Sequence, residues 1–298
     1  MIGENKVKEE ESRLLEMLED EETNDQTYLR VIKTLGEIES KKALELLIPI
    51  VDDKDEETSI RMAVCFSLGE IGDDSAIPVL KRALGERTNF LLRKSALEAL
   101  AKFDKFNLND TLIESLKDPQ WQIRMSACRS LGERKVEKAF PILKYKALKD
   151  PEAKIKKEAL KAIGEINSDE CREFLKDVYT KDTYTDNARL VAIEKLIEHN
   201  VDWIFPSIEE LYKSDHEEKR KPLLDYTLKL LSTKEYNYGT DLYKKMLDSE
   251  NYLYRIYAIK GIRLNNYTEF TDKVTELSEN DKNKSVKKHA LSTLEDLK

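Results

Sequence analysis

One pattern recurs about every 32 residues between positions 35 and 294, and so regular a period leaves few folds open. An apolar residue near the end of each repeat sets the register: Leu35, Leu68, Leu100, Leu131, Ile163, Leu196, Leu230, Ile262 and Leu294, at spacings of 33, 32, 31, 32, 33, 34, 32 and 32. Counted from this anchor, offsets −8, −4, −3, 0 and +3 are apolar or small, as in Ile60, Val64, Cys65, Leu68 and Ile71. That spacing gathers the five residues on one face of a helix and would scatter them across a strand. About eight residues past the anchor another helix opens, at Ala43–Leu47, Ala76–Leu80, Ala139–Leu143 and Cys171–Leu175. Each repeat is therefore a pair of helices whose apolar faces only the neighbouring pairs can cover. The expected fold is an all-α solenoid.

Because 40% of the chain is hydrophobic, the polar positions carry more weight than the anchors. Offset −7 is basic in seven repeats of nine: Arg61, Arg93, Arg124, Lys156, Arg189, Arg255 and Lys287. Offset +1 holds Gly36, Gly69, Gly132 and Gly164, four of only nine glycines. A glycine there is expected to let the chain leave the helix through a left-handed or tight conformation. Pro78, Pro141 and Pro206 share one register, suited to a first helical turn, where the missing N–H costs nothing. The turn within each pair carries Asp55, Asp118, Asp150 and Asp281 at offset −13, and Asp182 and Asp248 at −14. Asp118-Pro119 and Asp150-Pro151 suggest an N-cap followed by a first-turn proline.

The run from Ile60-Arg61 through Leu68-Gly-Glu-Ile-Gly-Asp73 resembles a HEAT repeat of the short type named after the phycobilisome lyases. The resemblance extends over residues 7 to 298 and is clearest from 27 to 180. It implies a right-handed superhelix of about nine helical hairpins, an Asp–Arg ladder between neighbouring repeats, and second helices lining a concave surface. Arg87 stands where the third repeat should carry its turn aspartate, Leu223 occupies the basic position of the seventh, and repeats six to nine lack the glycine. No linker rich in Pro, Gly or Ser interrupts the chain. Residues 1–298 are expected to form one array: an acidic capping helix in 1–25, regular repeats over 27–180, and degenerate, tyrosine-rich repeats over 181–298.

Net charge is −8, of which residues 1–25 account for −7, with ten acids against three bases. Val7, Leu14, Leu15 and Leu18 form an apolar stripe in that segment, so its acids make the outer face of an end helix. A polar exterior of this kind keeps arrays from stacking end to end. No apolar run approaches the ~20 residues that cross a bilayer, and the N-terminus lacks the features of a secretory signal. Cys65 and Cys128 fall at the apolar offset −3, and Cys171 replaces the alanine that opens a first helix. Three cysteines used as small packing residues suit a reducing compartment. The expectation is a cytoplasmic chain, monomeric before it meets a partner, without membrane insertion.

Little here could form a reactive centre. The three histidines, His199, His216 and His289, never occur as HExxH, and His216-Glu217 is the one His-Glu pair. HEAT-type deoxyhypusine hydroxylases, similar in architecture, hold iron with several such pairs. Phosphate-cradling and nucleophile-elbow motifs are absent from the sequence. A pI near 5.3 opposes the basic cleft of a HEAT-type DNA glycosylase and makes nucleic acid an improbable partner. Local basic clusters do occur, at Lys154, Lys156 and Lys157, at Lys219 to Lys221, at Lys244 and Lys245, and at Lys284, Lys287 and Lys288. The sequence thus assigns no catalytic residue, no metal ligand and no cofactor.

Nine of thirteen tyrosines lie beyond residue 210. Tyrosine joins a large apolar area to a hydroxyl at low conformational cost, which suits binding surfaces. The candidate partner-binding residues are Tyr236, Tyr238, Tyr243, Tyr252 and Tyr257, together with Arg129, Lys161 and Lys260 on a concave row at offsets −5, −2 and −1. Trp121 and Trp203, each at a helix entrance, are further candidate anchors. The function expected is a non-catalytic interaction scaffold or adaptor for a protein or peptide. The alternatives are a HEAT-type enzyme, lyase or glycosylase, and a binder of an anionic partner.

Overall fold

The computed structural model describes residues 2–20, 22–103, 108–199, 201, 203–213, 221–233, 235 and 240–297. Among these residues are eighteen α-helices and no strand, and the helices pair into nine hairpins. The first five are α1 (Ile2–Glu19) with α2 (Asp25–Glu37), α3 (Leu44–Asp52) with α4 (Thr58–Ile71), α5 (Ile77–Leu84) with α6 (Phe90–Lys102), α7 (Leu108–Ser115) with α8 (Trp121–Glu133), and α9 (Phe140–Lys149) with α10 (Ala153–Ile166). The other four are α11 (Asp169–Thr180) with α12 (Asp186–Glu198), α13 (Ile204–Lys213) with α14 (Lys221–Leu231), α15 (Thr240–Leu247) with α16 (Tyr252–Asn265), and α17 (Thr271–Asn280) with α18 (Lys284–Asp296). The chain is an all-α solenoid. Its contacts gather into two compact units, Met1–Ile166 and Asn167–Lys298. In the first, α2, α4, α6, α8 and α10 pack side by side in sequence; in the second, α12, α14, α16 and α18 do the same.

The helices start where the sequence supplies caps. Asn24, Asn89, Ser168, Thr185, Asn251 and Asn283 each accept a backbone N–H of the turn they open. Pro78 and Pro141 fall at the second residue of α5 and α9. The anchors Leu35, Leu68, Leu100, Leu131, Ile163, Leu196 and Ile262 are all at most 1% exposed. In the seventh hairpin the buried residue is Leu231, 1% exposed, and Leu230 is only half-buried. The register there moves by one, so Leu224, not Leu223, holds the basic offset, and Tyr226 moves from −4 to −5. Leu291, expected inward, is 55% exposed on α18.

The +1 glycines serve interhelical contact rather than helix exit. A Cβ on Gly36 would lie 2.7 Å from Ser67 Cβ, one on Gly69 2.9 Å from Ala99 Cα, and one on Gly132 2.8 Å from Ala162 Cα. Those three neighbours occupy offset −1 of the next hairpin, so glycine and a small residue let successive second helices touch along their backbones. The left-handed exit comes three residues later, at offset +4: Glu39, Gly72, Lys135, Asn167 and Asn266, with φ between 50° and 66°. At Glu39, Lys135 and Asn266 the following residue, Ser40, Val136 or Tyr267, donates back to the anchor carbonyl, a Schellman closure.

An arginine ladder ties hairpins together. Arg124 donates through Nε and Nη2 to Asp150 of the next hairpin, both at 2.9 Å, and through Nη1 to the Asp118 and Pro119 carbonyls of its own turn. Arg255 repeats this with Asp281 at 2.7 and 2.9 Å and with the Ser249 and Glu250 carbonyls. Arg61 finds Glu86 at 2.7 Å, so the carboxylate missing at Arg87 is supplied one residue earlier. The Arg93 rung is thinner: Nη2 reaches Asp118 at 3.2 Å, and the buried Nε has no partner. Asp118 and Asp150 are not helix N-caps. They accept the Gln120 and Glu152 N–H groups, two residues on, and so form Asx turns ahead of α8 and α10. Asp182 bonds Arg189 of its own hairpin, and Asp248 bonds Lys273.

The acidic N-terminal segment is α1 and the turn after it. Leu14, Leu15, Met17 and Leu18 pack on the core, while Glu10, Glu16, Glu19 and Asp20 point outward.

Candidate partner-binding surface

Packing consumes most of each second helix. Offsets −8, −4, −3 and 0 are buried within hairpins, −7 builds the ladder, and −1 meets the preceding helix. Ser67, Ala99, Ser130 and Ala162, at −1, are at most 6% exposed, so the expected open row at −1 is closed. Offset −2 remains to form an accessible face, joined by offset −5 in some hairpins, although Ala63, Ser126 and Val191 at −5 are buried.

In the unit Met1–Ile166 that face is polar and cross-linked. Phe66 on α4 is 45% exposed and carries Lys102 of α6 at 4.2 Å from its ring centre. Lys102 also pairs with Glu70. Glu98 accepts from Ser126 Oγ at 3.0 Å. Arg129 on α8 and Lys161 on α10 converge on Glu158, at 3.3 and 3.9 Å. These two predicted residues are thus in one cluster and partly engaged with the same carboxylate.

In the unit Asn167–Lys298 the face is aromatic and basic. Tyr226 on α14 is 36% exposed, and Tyr257 on α16 is half-buried at the same offset, −5. Lys229 and Lys260, at −2, are exposed. Burial, with the nearby Glu194 and Glu198 carboxylates, raises the Tyr226 phenol above its ordinary pKa. Burial likewise raises that of Tyr257, helped by Asp225 and Tyr252. On α18 the −5 residue is His289, whose pKa falls below the usual value through burial and the charges of Lys260, Lys288 and Arg263. Leu264 adds an apolar surface, 38% exposed, near the end of α16.

Of the predicted tyrosines, Tyr236 and Tyr238 lie outside the described residues. Tyr243 does not belong to a binding surface. It is 2% exposed, its hydroxyl donates to the Leu231 carbonyl at 3.0 Å, and its ring fills the space left by Gly261. Tyr254 is buried too, donating to Asp225 at 2.5 Å. Tyr243 and Tyr254 thus fill irregular hairpins. Tyr252, 43% exposed, borders a cleft of 700 Å³ at the turn edge with Asp248, Arg255, Lys273 and Asp281. A second cleft of 960 Å³ lies at the turn edge around Arg93, Asp118, Lys81 and Glu114. Neither lining includes a histidine or cysteine. Sequence reasoning missed Tyr226 and Arg263; the adjacent Leu230-Leu231 pair was the available sign of the register change that exposes Tyr226.

Trp121 and Trp203 are half-buried beneath Lys154, 2.9 Å from the ring centre, and Lys176, 4.8 Å away. Cys65, Cys128 and Cys171 are buried. Burial, the largest effect, pushes the Cys65 and Cys128 thiols up to about 12. Among the described residues no cluster of three or more His, Cys, Asp or Glu is placed to hold a metal, and no helix is long and apolar enough to cross a membrane.

A stacked array of helical hairpins with this arginine ladder defines the HEAT class, and the chain belongs to the spirochaete HEAT repeat proteins, whose family model matches residues 1–293. No curated protein matched the sequence. The fold is similar to the complex of CpcE and CpcF of phycocyanin lyase from Nostoc sp. (16% identity, 97% of this chain and 94% of that one, TM-score 0.47). It is also similar to an engineered protein (16% identity, 96% and 88%, TM-score 0.43) and to Kap121p (14% identity, 96% and 40%, TM-score 0.44).

Proposed function

We propose that this chain is a non-catalytic scaffold or adaptor, acting in the cytoplasm, that holds a protein or peptide on the open face of its second helices in Asn167–Lys298. The observation that carries this reading is the pair Tyr226 and Tyr257, large rings left partly accessible at one offset on adjacent helices. Large amphipathic rings beside lysines give contact area with little rotamer loss, the composition of binding hot spots. In this reading the offset −2 lysines supply the polar rim.

The test is tagged purification from the native cell with three forms of the chain: wild type, Tyr226→Ala/Tyr257→Ala, and a control, Tyr145→Ala, at a 60% exposed position on α9. A single co-purifying chain should be lost only with the double variant, whose melting temperature should stay near wild type. Retention of that chain by the folded double variant would refute the proposal.

A further inference from the structure

We propose that the face formed by α16 and α18 docks an extended, acidic segment of a partner polypeptide, with the tyrosines of α14 and α16 holding its apolar side chains. This rests on the interaction reading above and names the partner's chemistry. Lys260 and Arg263 project from α16 and Lys288 from α18, and all three act on His289 at once, which places three exposed cations in one small area around a histidine held toward its neutral form. Arg263 bridges the helices, bonding Ser292 at 3.4 Å and pairing with Asp296. On the α12 side of the same unit the charge reverses, with Glu194 and Glu198 around the Tyr226 hydroxyl.

A surface that runs from carboxylates through two tyrosines to a basic patch orients a chain laid across it. Packed helix axes lie about 10 Å apart and an extended chain advances about 3.3 Å per residue, so acids about three residues apart can follow the helix spacing. A nucleic acid is the poorer occupant. Its phosphates need a long cationic track, and here Asp225, Glu194 and Glu198 interrupt the track within two helices.

The experiment uses the full chain and fluorescence anisotropy with three labelled probes: a peptide alternating glutamate and leucine, its lysine–leucine counterpart, and oligothymidylate. The acidic peptide should bind best. Lys260→Glu/Lys288→Glu should weaken it by at least about tenfold at low salt, the effect shrinking as salt rises. Lys149→Glu, on α9 of the other unit, should leave affinity unchanged. Preference for the lysine peptide or the oligonucleotide, or an acidic peptide indifferent to the double reversal, overturns the inference. In that case the purification experiment still decides the scaffold reading, because it depends on Tyr226 and Tyr257 and not on the partner's charge.

Discussion

Replacing Arg124 by methionine tests the ladder where it is most complete. The guanidinium is 6% exposed and Asp150 is 2% exposed, so the pair is shielded from water. Arg124→Met removes two bonds to Asp150 and two to turn carbonyls, leaving Asp150 with Lys146 at 3.2 Å and the Glu152 N–H at 3.1 Å. Breaking a buried pair costs about 3–5 kcal/mol, and the surviving lysine puts this case near the lower figure, about 3 kcal/mol. Arg93→Met deletes one 3.2 Å carboxylate bond and the Nη1 bonds to the Glu86 and Arg87 carbonyls, from a group whose Nε is unpartnered, and should cost less, about 1–2 kcal/mol. Urea unfolding followed by circular dichroism measures both. Burial raises the Asp150 carboxyl, but Arg124, the Glu152 amide and Lys146 outweigh it and hold the group below its ordinary value. A depressed folded-state value means the rung stabilises above the unfolded carboxyl's pKa, about 4, and is lost as pH falls through the folded value. Arg124→Met should therefore flatten the acid limb of the stability profile. Equal losses at Arg93 and Arg124, or an unchanged acid limb, would refute the argument.

Gly132→Ala places a Cβ 2.8 Å from Ala162 Cα, backbone that cannot swing aside, and should cost about 1–3 kcal/mol by thermal melting. Lys135→Gly relieves a φ of 50° and should raise stability by about 0.5–1 kcal/mol; a lower melting temperature would contradict the left-handed exit at +4. Gly261→Ala should clash with the Tyr243 ring, 2.5 Å away, and the loss should shrink in a Tyr243→Leu background; strict additivity would count against their contact. Cys65 and Cys128, buried with thiols at about 12, should react with a thiol reagent only on unfolding, and fast labelling of the native chain would rule that out.

The helical period was legible because each offset meets the same surroundings in every hairpin, so one physical demand is written nine times. What each offset does was less legible. Glycine at +1 fits a helix exit and a helix contact equally well in sequence; only the opposing Ser67, Ala99 and Ala162 distinguish them. The left-handed exit was hidden because Glu39 and Lys135 occupy it as readily as Gly72. Glu86 completes a ladder rung that Arg87 seemed to break, since a carboxylate one residue earlier still reaches Arg61. Tyr243 shows the limit at the candidate site: on a first helix it has the same composition signal as Tyr257 on a second, and the missing side chain of Gly261 makes it a core residue.

The division of labour among offsets explains why the face of one unit can differ from that of the other on a common scaffold. Burial, ladder and helix contact together occupy −8, −7, −4, −3, −1, 0 and +1, and substitution there is felt by the neighbouring hairpin. Offset −5 varies more: Arg30, Ala63, Ser95, Ser126 and Glu158 in one unit, Val191, Tyr226, Tyr257 and His289 in the other, with Ala63, Ser126 and Val191 buried and the rest wholly or partly accessible. In the first set Ser126 bonds Glu98 of the preceding second helix. Larger rings in the second set stand partly clear of the helix surface, where a partner chain can cover them. On the proposed reading, the array keeps its stability in the repeated positions and leaves recognition to the variable ones.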